Sequence, residues 1–356
     1  MEVLSSGPLV RASALTTTLE LEDPRWTSFV ERREDALAFH RPAWARLIAE
    51  AYGFPTFVFA MLDERGGVIA GTPIAEVKSP FGRRRWVSLP FTDELPPLHD
   101  PGADGFEFAA GLDSAWRAAG VHSLELRAPL AYAGAHRRSD AVVHRLPLGA
   151  DPDALFRRFH RSQVQRNIRR AEREHVRVRV GESEEALTST FYDLHVGTRR
   201  RLGVPVQTRR FFRLLWRRLI EPGDGFVLIA EAGREPIAAA VFLVGARSIT
   251  YKYGASNAAA WSLRPNHLLF WTAIRRACEC GYDELDFGRT DLSDTGLRAF
   301  KAGWGTVEEP LEYMTLCDGP LSQARGRAAH LLSGLIRRSP TFVCRALGAL
   351  FYRYAA

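Results

Sequence analysis

Apolar residues recur along the chain in two rhythms, and the order of those rhythms is repeated. Phe57 to Leu62 and Val68 to Ala75 are apolar runs separated by the polar turn Asp63-Glu-Arg-Gly-Gly67, the pattern of a β-hairpin. Arg85-Trp-Val-Ser-Leu-Pro90 reads as a third strand. A helical stretch follows from Phe106 to Ala119, ended by Gly120, and then the strand Ser123-Leu-Glu-Leu-Arg127. The second half has the same plan. Strands are predicted over Phe226–Glu231, Pro236–Val244 and Ser248–Gly254, a helix over Pro265–Cys280, and a strand over Glu284–Gly288 after Gly281. The two helix–glycine–strand joints align as Gly120-x-x-x-Leu-Glu-Leu and Gly281-x-x-x-Leu-Asp-Phe. A repeat this long describes a duplicated α/β unit rather than a solenoid.

Between the halves the rhythm is helical. Asp151-Pro152 is an N-cap followed by proline at the first helical position. Leu155, Phe156, Phe159, Val164, Ile168 and Ala171 share one face, and Arg166, Arg169, Arg170 and Arg173 form a basic stripe at i, i+3, i+4 and i+7. A second helix is expected from about Ser183 to Leu202, closed by Gly203, and a third from Thr208. Past residue 320, Leu331, Leu332, Leu335 and Ile336 next to Arg337 and Arg338, then Leu347, Leu350 and Phe351, give an amphipathic tail. Packing onto the body is the expectation for it, and a basic amphipathic helix also suits an anionic membrane surface. The resulting partition is 1–150, 151–320 and a tail over 321–356.

Composition is that of a globular chain long enough for two domains, at 356 residues and 46% hydrophobic. Charge adds more. Only Lys78, Lys252 and Lys301 are lysines, so the net +7 comes from arginine. Arg157 to Arg218 holds 17 arginines against six acids, a local +11, which leaves −4 for the rest. Such segregation suits an anionic partner. Four cysteines without metal spacing, the lack of a long apolar run and the lack of a signal sequence lead to a cytoplasmic expectation, with peripheral membrane contact through the tail as a variant. The ten histidines show no zinc spacing, and there is no GxSxG elbow, P-loop or GxGxxG loop. No metal is expected.

Three stretches together carry a family resemblance: Arg166-Asn-Ile-Arg-Arg-Ala-Glu-Arg173; Tyr251-Lys-Tyr-Gly-Ala-Ser256 with Pro265-Asn-His-Leu-Leu-Phe-Trp271; and Asp286-Phe-Gly-Arg289 with Gly296-Leu-Arg-Ala-Phe-Lys-Ala-Gly-Trp-Gly305. Their order and spacing resemble the FemAB-like branch of the GNAT acyltransferase superfamily. The resemblance implies two tandem GNAT-like domains of mixed α/β sheet, 1–150 on the acceptor side and 151–320 on the donor side. It implies transfer of an aminoacyl group from aminoacyl-tRNA to an amine of a cell-envelope precursor or small metabolite, with no bound cofactor. The family's Phe-Lys pair falls on Phe300-Lys301. His40-Arg-Pro-Ala-Trp44, in the acceptor region, departs from the usual pattern. The loop Asn257–Pro265 has no glycine, unlike the pyrophosphate loop of CoA-dependent relatives. An acyl-CoA donor bound through side chains such as Arg264 stays an alternative, as does a non-catalytic polyanion-binding role.

Amide formation needs a base for the amine, a stabilised oxyanion and a protonated leaving oxygen. Lys301, among small and apolar neighbours, is the candidate partner of the oxyanion or leaving group. Asp286 is either a general base or a structural partner of Arg289. Tyr251 and Tyr253, flanking Lys252, are expected on one strand face, with Tyr253 a candidate proton donor. Arg166, Arg169, Arg170 and Arg173 are candidates for tracking a phosphate backbone. Arg264, Asn266, Arg289 and Asp291 are further candidates for substrate contact, and Trp261 and Trp304 for stacking on it. Asp294 is either a helix cap or an amine-orienting group.

Overall fold

The computed structural model describes residues 15–79, 82–130, 132–318, 333–334 and 336–355. The first half contains β1 (Leu15–Leu19), α1 (Pro24–Glu31), α2 (Pro42–Tyr52), β2 (Thr56–Leu62), β3 (Val68–Lys78), β4 (Arg84–Val87), the short β5 (Leu98–His99), α3 (Gly105–Ala118), β6 (Ser123–Leu126) and β7 (His136–Pro147). The helical insert supplies α4 (Pro152–Arg158) and α5 (Arg166–Arg173), then β8 (Val176–Val180), α6 (Tyr192–Leu202) and α7 (Arg209–Leu215). The second half continues with β9 (Gly225–Ala232), β10 (Glu235–Val244), β11 (Ser248–Ser256), α8 (Pro265–Glu279), β12 (Glu284–Asp291), α9 (Thr295–Ala302) and β13 (Val307–Cys317). The tail supplies α10 (Thr341–Phe351). Asp151 caps α4 and Thr208 caps α7, while Gly53 and Gly203 end α2 and α6 in the left-handed conformation.

All the strands join one mixed sheet in the order β1-β2-β3-β4-β6-β13-β7-β12-β11-β10-β9-β8, with β5 beside β3. Pairing is antiparallel except at β4–β6 and β11–β12, the equivalent places in the two halves. The halves are not side by side. Each gives its last strand to the other: β7 pairs with β12, and β13 pairs with β6, the two exchanged strands lying against one another. The division at residue 150 is therefore a division of the sequence, while the sheet runs through it.

Helices cover both faces. α1, α2, α6 and α7 share one apolar core, which includes Trp26, Trp44, Phe211 and Phe212 and joins the halves. On the opposite face, α3 covers the first half with Phe108, Leu112 and Trp116. α5 and α8 cover the second half there, around Ile168, Trp271 and Trp304. Leu331, Leu332 and Leu335 lie outside the described residues. Ile336, Cys344 and Tyr352 are buried in the shared core, and Arg345 pairs with Asp193, so the described tail packs onto the body.

Candidate active site

The two parallel strand pairs create the candidate site. β11 and β12 pair only at Ser248–Thr250 with Glu284–Asp286. Beyond that point the strands part, and among the described residues the edge of β11 facing β12 pairs with no strand. A gap of this kind offers backbone amides and carbonyls to an extended ligand. The loop Asn257–Arg264 and the first turn of α8 stand at its mouth, because they follow the diverging end of β11.

Lys301 comes into the site from α9. It is 3% exposed, and its ammonium donates to the carbonyl of Gly288 at 2.6 Å, with the Arg289 carbonyl at 3.4 Å. The β12–β7 register slips between Asp286 and Arg289, and Gly288 takes a φ of +73°, which turns its carbonyl toward Lys301. A Cβ on Gly288 would come 3.2 Å from the Tyr251 carbonyl and 3.3 Å from an Asp93 carboxylate oxygen. Three elements thus converge there. Burial pushes the Lys301 ammonium down to about 8, with Asp286 and Asp93 opposing the shift. Asp286, 8% exposed, is pushed up to about 7 by burial, although its carboxylate accepts the Gly288 amide at 2.7 Å and has Arg145 nearby. A lowered ammonium and a raised carboxyl in one crevice suit proton transfer near neutral pH.

Other candidates are placed differently. A register shift in β11–β10 at Lys252 puts Tyr251 and Tyr253 on opposite faces, not one face as simple alternation predicts. Tyr251 packs on Phe242 and Phe270 beneath α8, and its hydroxyl fills the place a Cβ would need at Gly254. Burial raises it to about 12. Tyr253 lies in the other core against Phe211, Phe212 and His195, where burial raises it well above the ordinary phenol range. A phenol so hard to ionise, on the face away from Tyr251, is a poor proton donor to the gap. Trp304 is fully buried between Phe159, Phe270 and Phe287, so it is core and unavailable for stacking on a ligand. Phe300 stays half-buried beside His267, with ring centres 5.3 Å apart. Arg289 does not pair with Asp286. It reaches Asp291 at 2.7 Å and Asp140 at 3.4 Å, which occupies both Arg289 and Asp291. Asp294 caps α9 through the Leu297 amide.

Arg264 holds a left-handed φ of +60° just before α8, with Asn266 half-buried in the first turn. Several amides of the loop before it are already bonded, that of Asn257 to Ile237 on β10. Those of Ala259 and Ala260 go to Asn257, and that of Arg264 goes to Trp261. On α5, Arg166, Arg169 and Arg173 are exposed, and among the described residues no carboxylate lies within 4 Å of them; Arg170 has Glu174 at 3.8 Å.

Sequence reading missed the segment Pro90–Pro96. Asp93 forms an ion pair with the buried Lys252 at 3.5 Å and its carbonyl accepts the Tyr313 hydroxyl at 2.6 Å. Burial pulls the Lys252 ammonium below its ordinary value, and Asp93 counteracts this. Glu94 binds Arg145, which also holds Glu309. His40 and Trp44, in the region where the sequence departs from the family's acceptor-side pattern, are buried and anchor this segment. His40 Nε2 lies 2.7 Å from the Pro96 carbonyl, and Trp44 Nε1 donates to Thr92 at 2.8 Å. The one signal in the sequence was a proline-bounded run carrying two acids.

Residues 158–301 match the model of the acetyltransferase (GNAT) domain. No curated protein is significantly similar to the sequence. Among solved structures the chain is similar to FemX, at 16% identity and a TM-score of 0.66 over 84% of this chain and 96% of that one. It is also similar to L-PGS from Bacillus licheniformis, at 14% identity and a TM-score of 0.53 over 90% and 98%. A third is a tandem GNAT protein from the clavulanic acid biosynthesis pathway, at 12% identity and a TM-score of 0.50 over 87% and 100%. At these identities the likeness is one of fold. With the domain match and the duplicated halves, the chain contains a GNAT acyltransferase domain and has a tandem GNAT fold similar to that of FemX.

Proposed function

We propose that this acyltransferase takes an aminoacyl group from aminoacyl-tRNA and passes it to an amine on a cell-envelope precursor or small metabolite. The observation that carries the donor is the pairing of an open basic face on α5 with a glycine-free loop that already bonds several of its amides. A pyrophosphate needs free amides at close range, whereas an RNA backbone is met by arginine side chains. In this reading the ester carbonyl enters the gap between β11 and β12. The amine nitrogen attacks the carbonyl carbon, and Asp286 takes the proton the nitrogen loses. Lys301 stabilises the oxyanion. The carbon–oxygen bond to the ribose then breaks, and the ribose oxygen receives the proton. Phe300 walls the crevice, and Arg264 and Asn266 line its entrance. The tail's exposed Phe342, Leu350 and Tyr354, with Arg338 and Arg353, are available for peripheral membrane contact should the acceptor be lipid-linked.

The test is product mass spectrometry with charged tRNA and a panel of amines. An added aminoacyl mass on an amine, abolished by RNase pretreatment, is expected. Acyl transfer from acyl-CoA with none from charged tRNA overturns the donor assignment.

A further inference from the structure

Trp261 stands at the mouth of the gap and is 46% exposed, which is unusual for an indole in a chain that buries Trp26, Trp44, Trp116 and Trp304 completely. It is nonetheless held in place. Its Nε1 donates to the Ser256 hydroxyl at 2.9 Å, and the Arg201 guanidinium lies over the ring at 4.7 Å. Arg201 is itself directed by the Ser256 carbonyl and the Thr198 hydroxyl, each at 3.5 Å. Among the described residues no carboxylate neutralises Arg201, and no second ring or cation covers Trp261. A pocket of about 550 Å3 shares Arg201, Ser256 and Asn257 as its wall and continues along α6 to the start of β10, where Asp193 and Glu235 add two carboxylates to its lining. That volume falls within the roughly 300–1,000 Å3 of small-molecule sites. An exposed, immobilised indole backed by an unpaired guanidinium is the arrangement that stacks a nucleobase and meets its phosphate.

We infer that Trp261 and Arg201 form a platform for the terminal adenosine of the acyl donor, the base lying on the indole and the adjoining phosphate near the guanidinium. The inference rests on the acyltransferase reading but not on the choice of donor, since the 3′ end of tRNA and CoA both carry a phosphorylated adenosine. Two matched pairs of probes separate the sources: an RNA acceptor stem ending in CCA against the same stem ending in CC, and CoA against 4′-phosphopantetheine. Affinity is measured on the full chain by fluorescence titration.

Wild-type protein is expected to bind the CCA stem about tenfold more tightly than the CC stem. Trp261→Ala loses that preference and Trp261→Phe keeps most of it, while both variants lose the Nε1 hydrogen bond to Ser256 and still melt cooperatively. Arg201→Gln weakens the adenosine-bearing probe alone. A preference confined to the CoA pair, lost in Trp261→Ala, keeps the platform and overturns the tRNA donor. The platform is overturned if wild type prefers adenosine in neither pair, or if Trp261→Ala discriminates as well as wild type.

Discussion

The two halves share a plan, yet only one has an open gap between its parallel strands. In the second half β11 and β12 separate after Thr250 and Asp286, and Lys301 meets the bulged carbonyl of Gly288 there. In the first half, β4 and β6 pair at Trp86–Val87 with Leu124–Glu125, and the chain itself then fills the space. The Ser88 amide donates to Glu125, the Leu95 amide donates to the Arg127 carbonyl, and Arg127 reaches the Thr92 carbonyl at 2.6 Å. Leu89 and Phe91 turn through left-handed conformations to make this possible. The filled unit then projects Asp93 and Glu94 onto Lys252 and Arg145 of the shared seam. The two similar units thus differ: one holds the open gap and the other lends it a wall.

Lys301→Met tests the open half most severely. Removing a preorganised oxyanion donor costs about 10²–10³ in kcat. Stability should hold or rise, because at neutral pH the folded state bears a buried ammonium whose pKa is depressed to about 8. The stability tied to that depression is present above the unfolded value and lost as pH falls through about 8. A variant within tenfold of wild-type turnover removes Lys301 from the chemistry.

Asp286→Asn probes the same crevice by pH. With Asp286 at about 7 and Lys301 at about 8, the rate should rise through the first and fall through the second. The variant should be slow and lack the rising limb near pH 7. Its stability effect has a definite sign. The folded pKa of Asp286 is raised, so its protonated form favours the fold at low pH and that contribution is lost as pH climbs through about 7. Asp286→Asn should therefore raise the melting temperature more at pH 8 than at pH 5. An equal shift at both pH values contradicts the burial argument.

Asp93→Ala asks whether the closed half matters to the open one. Leaving Lys252 buried without its carboxylate should cost about 2–3 kcal/mol in chemical denaturation. Ser88→Ala, which removes the hydroxyl that accepts the Arg127 amide at 2.8 Å across the closed gap but keeps the seam, should cost about 1 kcal/mol by the same measurement. If Asp93→Ala costs no more than Ser88→Ala, the lent wall carries no special weight.

The smallest expected effects separate two arginine-rich helices. Arg213 and Arg217 beside α7 both bind Glu184, whereas Arg166, Arg169 and Arg173 on α5 have no carboxylate within 4 Å among the described residues. Changing the α5 trio to glutamine should lower the slope of log affinity for tRNA against log salt by roughly 2–3. Arg213→Gln with Arg217→Gln should leave that slope nearly unchanged. Equal slopes for both variants put the RNA elsewhere.

Much of the frame was legible in the sequence. Period-two runs, turn residues and Gly120 and Gly281 located the repeated hairpin–helix–strand units, because each of these signals is local. The Asp151 and Thr208 caps and the helical face of α5 followed from the same kind of reasoning. Lys301 stood out as one of three lysines in an arginine-rich chain, and it is buried rather than on the helix surface. Tertiary structure decided the rest. Strand exchange depends on which edges meet, and β7, His136 to Pro147, opens on a charged run that gives no clean alternation. One bulge at Lys252 reversed the side of Tyr253, since an extra residue in a strand shifts every later side chain. Trp304 lies close in sequence to Lys301 yet is core, and Trp261, in a loop, is the exposed indole. Spacing identifies which residues share a face, but only packing determines whether that face meets solvent, a neighbouring helix or a ligand.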